Sequence, residues 1–244
     1  MSAYADQRVL VVGGTSGVGL ATAREFVAQG ADTVIASRSP QRLDAALAVL
    51  GGLTAAGGGA VNGQTLDIRS EEEVEKFAAN AGEFDHVVVS AGETPMGRVD
   101  ALPLADAYAA MDSKFWGAYR IARSVRVRPS GSLTLLAGYL SQRPGRASAL
   151  QSAINAALEA LVRGLALEYA PLRVNAVSPG LLRTPLWEGM DVTARERMYE
   201  AATQRLPVGR VGEAADVAQA VLFVTGNAYA TGTTVYVDGG GTIA

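Results

Sequence analysis

The chain has no cysteine, a single histidine (His86) and only two lysines, Lys76 and Lys114, against 19 arginines. Without thiols there is no disulfide, no thiolate nucleophile and no cysteine metal site. One imidazole excludes a multi-histidine metal site, so no metal is expected. Apolar residues nowhere run for the roughly 18 positions a membrane helix needs. The opening Met1-Ser2-Ala3-Tyr4-Ala5-Asp6 lacks the basic-then-apolar order of a secretion signal. The expectation is a soluble, cytoplasmic protein with no membrane partner. A basic surplus is also missing: 24 acidic and 21 basic residues leave a net charge of −3, which argues against nucleic acid as a partner.

What is present is apolar substance. With 49% hydrophobic residues in 244, the chain can bury one large α/β core and is short for two, so 1–244 reads as one domain. Strand-like and helix-like stretches alternate. Strands are expected at Arg8–Val12, Thr33–Ala36, Gln64–Ile68, Asp85–Ser90, Ser132–Leu136, Arg173–Val177 and Val235–Val237. Helices are expected at Leu20–Gln29, Gln41–Leu50, behind the Ser70/Glu73 capping box, and over about 104–126 and 149–169. This alternation predicts right-handed βαβ units and a doubly wound, Rossmann-type parallel sheet of about seven strands with helices on both faces. Residues 181–206 show no strand pattern and carry Trp187, Met190 and Met198. A segment of that length inside an α/β domain reads as a substrate lid.

The most informative stretch is Val9-Leu10-Val11-Val12-Gly13-Gly14-Thr15-Ser16-Gly17-Val18-Gly19. A buried strand, a glycine turn and a helix start, in that order, aim unpaired backbone N–H groups and the positive helix end at one point, which suits a pyrophosphate. In a doubly wound sheet the other ligand contacts come from the loops after the strands. After the second strand, Ser37-Arg38-Ser39 offers no carboxylate for a ribose 2′-hydroxyl. The Arg38 guanidinium and the Ser39 hydroxyl suit a 2′-phosphate instead, which favours NADP(H) over NAD(H). Asp67-Ile68 lies where an adenine edge is read.

These motifs resemble the classical short-chain dehydrogenase/reductase family, and the likeness covers essentially the whole chain. Gly13, Gly17 and Gly19 match the family's glycine signature, and Asp67 its adenine-site aspartate. Val89-Ser90-Ala91-Gly92 keeps part of the fourth-strand motif. Arg173-Val174-Asn175-Ala176-Val177-Ser178-Pro179-Gly180 matches the segment beside the nicotinamide, Thr184 a carboxamide contact, and Val237-Asp238-Gly239-Gly240 the C-terminal signature. The resemblance implies cofactor contacts from Gly13 to Gly19 (Thr15, Ser16 and Val18 included), Arg38, Ser39, Asp67, Ile68, Ser90, Ala91, Gly92, Asn155, Pro179, Gly180 and Thr184. It also implies a homodimer or homotetramer, usually built on the two long helices.

The catalytic pattern departs from the family's. Aligned on the helix ending near Glu168 and on Arg173-Val174-Asn175, the family's tyrosine falls at Gln151 and its lysine at Asn155. Its serine falls at Gly138 and its asparagine at Lys114. No Tyr-x-x-x-Lys exists in the chain. Amides do not titrate near neutrality, so neither Gln151 nor Asn155 replaces the tyrosine as acid or base. Lys114 and Tyr139 are the candidate replacements: a desolvated lysine titrates low, and Arg143 lies four residues beyond Tyr139. For each the plain structural role, a salt bridge for Lys114 and a pocket wall for Tyr139, is the stronger reading. Trp116, Tyr139, Leu182, Trp187 and Met190 point to an apolar substrate pocket. The leading expectation is an NADP(H)-dependent oxidoreductase acting on a small carbonyl or alcohol with an atypical acid–base site. The alternatives are a catalytically silent nucleotide- or ligand-binding homologue, and a non-redox isomerase or cyclase.

Overall fold

A computed structural model of the chain describes residues 3–244. β1 (Arg8–Val12) and β2 (Asp32–Ser37) flank α1 (Gly17–Ala28); α2 (Pro40–Ala55) leads to β3 (Val61–Thr65), and α3 (Glu71–Ala81) to β4 (Phe84–Val89). The second half carries α4 (Leu104–Met111), a π-helical turn (Asp112–Trp116), α5 (Gly117–Ser124), β5 (Val127–Leu136), α6 (Ala149–Glu168) and β6 (Arg173–Pro179). There follow a two-residue strand β7 (Leu182–Arg183), α7 (Val192–Arg205), its partner β8 (Gly212–Glu213), α8 (Ala214–Gly226) and β9 (Thr234–Val237).

The seven long strands form one parallel sheet in the order β3-β2-β1-β4-β5-β6-β9, the expected doubly wound fold. β1 is apolar at Val9, Leu10, Val11 and Val12 because both of its faces are covered. Leu10 and Val12 join the core under α3, α5 and α6, whereas Val9 and Val11 join the core under α1, α2 and α8. Strand order reverses between β1 and β4, which opens a crevice at their carboxyl ends. No described helix is long and apolar enough to cross a membrane.

Four expectations need correction. The third strand is Val61–Thr65, not Gln64–Ile68. It is a polar edge strand held by backbone pairing to β2, and the buried Leu66 and Ile68 that suggested a strand pack just beyond it. The long helix over 104–126 is three pieces ending at Ser124, because the π turn interrupts it. β5 starts at Val127 rather than Ser132, through a register shift opposite Phe84 and His86. Finally, the sequence reading had no helix at α8, although it packs heavily on α1; its run of small and β-branched residues carries no strong amphipathic stripe.

Candidate active site

The crevice at the switch point is a cleft of about 650 Å³. Of the expected contacts, Gly13, Thr15, Ser16, Gly17, Val18, Gly19, Arg38, Asp67, Ile68, Ser90, Ala91, Gly92, Lys114, Pro179, Gly180 and Thr184 all line it. Ser39 does not; its hydroxyl caps α2 by accepting the Arg42 backbone N–H at 3.3 Å. Gly138, Tyr139, Gln151 and Asn155 stand behind the lining rather than in it.

Backbone dictates the glycine turn. Gly13 has φ +84° and passes so close to the β4 loop that a Cβ would sit 2.7 Å from the Ala91 nitrogen. The Ser90 hydroxyl donates to the Val12 carbonyl at 3.0 Å and fixes this approach. Gly17 has φ +50° and opens α1, and the N-cap Ser16 makes no side-chain capping bond. The first-turn N–H groups therefore face the cleft without a side-chain acceptor, as an anion site requires. Thr184 closes over this turn, with carbon atoms 3.7 Å from where a Gly17 side chain would begin.

At the rim beyond β2 the charges are engaged with one another. Arg69 grips Asp67 as a fork, with contacts of 2.6–3.1 Å, and this guanidinium holds the Asp67 carboxyl below its ordinary range. Arg38 pairs with Glu93 from the loop after β4. Arg42, one turn into α2, lines the same rim and has no carboxylate within ion-pair distance among the described residues.

The other end of the cleft is built from side chains. Lys114 sits on the π turn, an irregular turn that re-aims residues in an otherwise continuous helix. Its stem lies against Gly92, where a Cβ would meet Lys114 Cγ at 2.8 Å. Its ammonium donates to Asn155 Oδ1 at 2.7 Å and to the Ala137 carbonyl at 2.9 Å. Among the described residues no carboxylate lies within ion-pair distance of it, and burial lowers its pKa from 10.5 to about 8. Gly138 makes room for this bond, because a Cβ there would lie 2.8 Å from Asn155 Nδ2. Gln151, on the same face of α6 as Asn155, donates to the Thr94 carbonyl at 2.6 Å, and its buried Oε1 has no partner.

Tyr139 lies in a short 3₁₀ turn, its ring against Gly241. Arg143 reaches it only through a backbone N–H on the Tyr139 carbonyl at 3.1 Å, so the Tyr139–Arg143 side-chain pairing is not formed. Leu182 and Trp187 line the cleft as expected. Trp116 instead faces outward, 46% exposed and edge-on to Phe115 and Tyr119, and Met190 lies off the lining. Sequence reasoning missed Arg42, Glu93 and Thr94. Arg42 had a signal, a second arginine in the first turn of the helix that follows Arg38; the other two come from a loop without periodicity.

Fold and cleft together define a Rossmann-type α/β protein with its ligand site at the switch point. Residues 12–242 match a family model described as enoyl-(acyl carrier protein) reductase. The chain is 32% identical to the short-chain dehydrogenase/reductase ucsE of Acremonium sp., over 97% of this chain and 95% of that one. It is 36% identical to a small-chain dehydrogenase solved in complex with NADPH, with a TM-score of 0.80 and coverage of 98% and 99%. It is 27% identical to the MalC reductase/Diels-Alderase of Malbranchea aurantiaca, with a TM-score of 0.88 and coverage of 98% and 97%. The chain belongs to the short-chain dehydrogenase/reductase family of oxidoreductases.

Proposed function

We propose that the protein is an NADP(H)-dependent oxidoreductase of small carbonyl or alcohol substrates in which Lys114 carries the proton. The observation that bears this reading is an ammonium with no carboxylate partner among the described residues, held in the same cleft as an open glycine turn. The cleft fits the nucleotide: Gly13 and Gly17 leave room that a Cβ would fill, and uncapped N–H groups await an anion. The NADPH complex of a 36%-identical relative supports the same cofactor. Pro179, Gly180 and Thr184 on the far wall would hold the nicotinamide end, and Asp67 and Ile68 the adenine end.

Held by the Gly13–Gly19 turn and by Pro179, Gly180 and Thr184, the nicotinamide cofactor would supply the hydride for carbonyl reduction. Lys114 gives a proton from Nζ to the carbonyl oxygen and is left as a neutral amine, which reloads from water at the cleft mouth. In the oxidising direction the neutral amine takes the alcohol proton. A pKa near 8 keeps both forms accessible close to neutrality. The family's tyrosine and lysine positions fall at Gln151 and Asn155, so the ammonium comes from the π turn rather than from α6. Residues 181–206, which here hold the two-residue strand β7 that the sequence pattern does not show, a 3₁₀ turn and α7, serve as the lid, since Leu186 and Trp187 line the cleft. The exposed Leu104, Tyr108 and Tyr119 on the α4–α5 face suit the contact of a homodimer or homotetramer.

A second reading, a catalytically silent NADP(H)-binding homologue, is favoured by Gln151, whose amide is spent on Thr94. The test is a titration with NADPH and NADH followed by a carbonyl and alcohol panel. Turnover by the natural chain that vanishes in Lys114→Met supports the first reading. Turnover only after Gln151→Tyr with Asn155→Lys supports the second, and binding of neither nucleotide removes both.

A further inference from the structure

Arg38 and Glu93 face one another across the cleft from opposite sides of β1. Arg38 follows β2, Glu93 follows the β4 motif, and β1 with its glycine turn runs between those strands. Their ion pair therefore bridges the cleft above the turn, over the ground that the adenosine half of a dinucleotide occupies. Glu93 is also anchored from below, its backbone N–H donating to the Ser113 hydroxyl at 2.9 Å. Thr94, the next residue, receives the Gln151 amide at 2.6 Å. The carboxylate is thus presented by a tied loop rather than by a free one.

We propose that Glu93 is a specificity-determining residue: its carboxylate holds the Arg38 guanidinium and competes with the 2′-phosphate of an incoming nucleotide for it. This rests on the NADP(H) reading above and deepens it. The Glu93 carboxylate occupies the Nη2 corner of the Arg38 guanidinium fork, donors that a 2′-phosphate would also use. A 2′-phosphate replaces Glu93 there because it brings greater charge and three acceptor oxygens, and because Arg42 stands on the same rim with no carboxylate of its own. A nucleotide with a plain 2′-hydroxyl leaves the Arg38–Glu93 pair in place. Glu93 thereby reduces the margin by which phosphorylated nucleotide is preferred, and it sets the affinity at which NADPH exchanges.

Both side chains are well exposed, 42% for Arg38 and 66% for Glu93, so the pair is of the weak surface kind. Its removal is expected to change affinity by roughly two- to fivefold. The probes are 2′,5′-ADP and 5′-AMP, which share the adenosine and differ at the 2′ position, followed by NADPH and NADH. Glu93→Gln should tighten 2′,5′-ADP and NADPH by that factor while leaving 5′-AMP and NADH near wild type. The gain should shrink as salt is raised and disappear in an Arg38→Ala background. An equal shift for both members of each pair, or a selective gain that survives loss of Arg38, overturns the assignment of Glu93 alone. If the natural chain binds no nucleotide at all, the cofactor reading falls, and this inference with it.

Discussion

At one end of the cleft the geometry is set by backbone; at the other it is set by contacts among side chains on and behind the lining. Gly13, Gly17 and the uncapped start of α1 owe their geometry to missing Cβ atoms and a strand-to-helix junction. Lys114, Asn155, Gly138 and Gln151 owe theirs to contacts between elements more than ten residues apart in sequence. A backbone site tolerates no side chain and asks little of those nearby. A side-chain site can be rebuilt by exchanging residues between facing helices while the scaffold stays intact. The two ends can therefore change independently, so that retention of a nucleotide cradle carries no guarantee about proton transfer.

The sharpest way to break this separation is at Lys114. Lys114→Met should lower turnover by roughly 10²- to 10⁴-fold, the usual contribution of a positioned acid or base, while NADPH affinity stays close to wild type by fluorescence titration. A parallel loss of affinity would mean that the two ends are coupled. In the natural protein, reduction should fall as pH rises through about 8, where Lys114 loses its proton, and oxidation should rise through the same range. The converse substitution is Gly13→Ala. A positive φ of 84° and a Cβ 2.7 Å from the Ala91 nitrogen should together cost roughly 2–5 kcal/mol in urea unfolding and remove nucleotide binding.

A third experiment separates the site's pH response from that of the scaffold. His86 is buried between Gln7 and Ser132. The Gln7 Oε1 can only accept, so Nε2 carries the proton and Nδ1 accepts from the Ser132 hydroxyl. Burial, aided by the Arg173 charge, lowers the pKa from 6.5 to about 4. Below pH 6.5 the unfolded chain takes up a proton that the folded chain refuses. The His86 contribution to stability should then decline from about pH 6.5 to about 4, by about 3 kcal/mol in all. Urea midpoints against pH should show this slope in the natural protein and lose it in His86→Gln. Activity should follow the alkaline limb of Lys114 instead, so the two pH dependences fall on opposite sides of neutrality.

The same contrast explains what was legible in the sequence. A buried parallel strand is a solid apolar run and a glycine turn is a local pattern, so β1, its turn and the sheet's winding could be read directly. The edge strand β3 could not, because Asn62, Gly63 and Gln64 are held by β2's backbone rather than by a buried face. α8 failed for the opposite reason: it is apolar nearly all round and shows no stripe. At the site, fifteen of the expected cofactor contacts do line the cleft, because they follow the strands in order. Glu93 and Thr94 carry no pattern, and the closeness of Lys114 to Asn155 spans 41 positions that no local spacing encodes. Trp116 was misplaced because an aromatic residue on a helix does not announce which face it takes.

The smallest expected effect asks whether Asn155 tunes Lys114 or merely touches it. Gly138 is the lever, since its backbone is extended (φ 168°) and an added Cβ brings no strain of its own. The Cβ of Gly138→Ala would lie 2.8 Å from Asn155 Nδ2, so the amide must turn and its Oδ1 must leave the ammonium. A hydrogen bond to a charged donor is stronger than one to the neutral amine, so its loss penalises the protonated form more. The Lys114 pKa should drop further below 8, and the alkaline limb of reduction should move to lower pH by roughly half to one unit, with nucleotide affinity unchanged. If the limb stays where it is while turnover falls, Asn155 positions the amine without setting its charge. If neither moves, the side-chain end of the cleft depends on Lys114 and the Ala137 carbonyl alone.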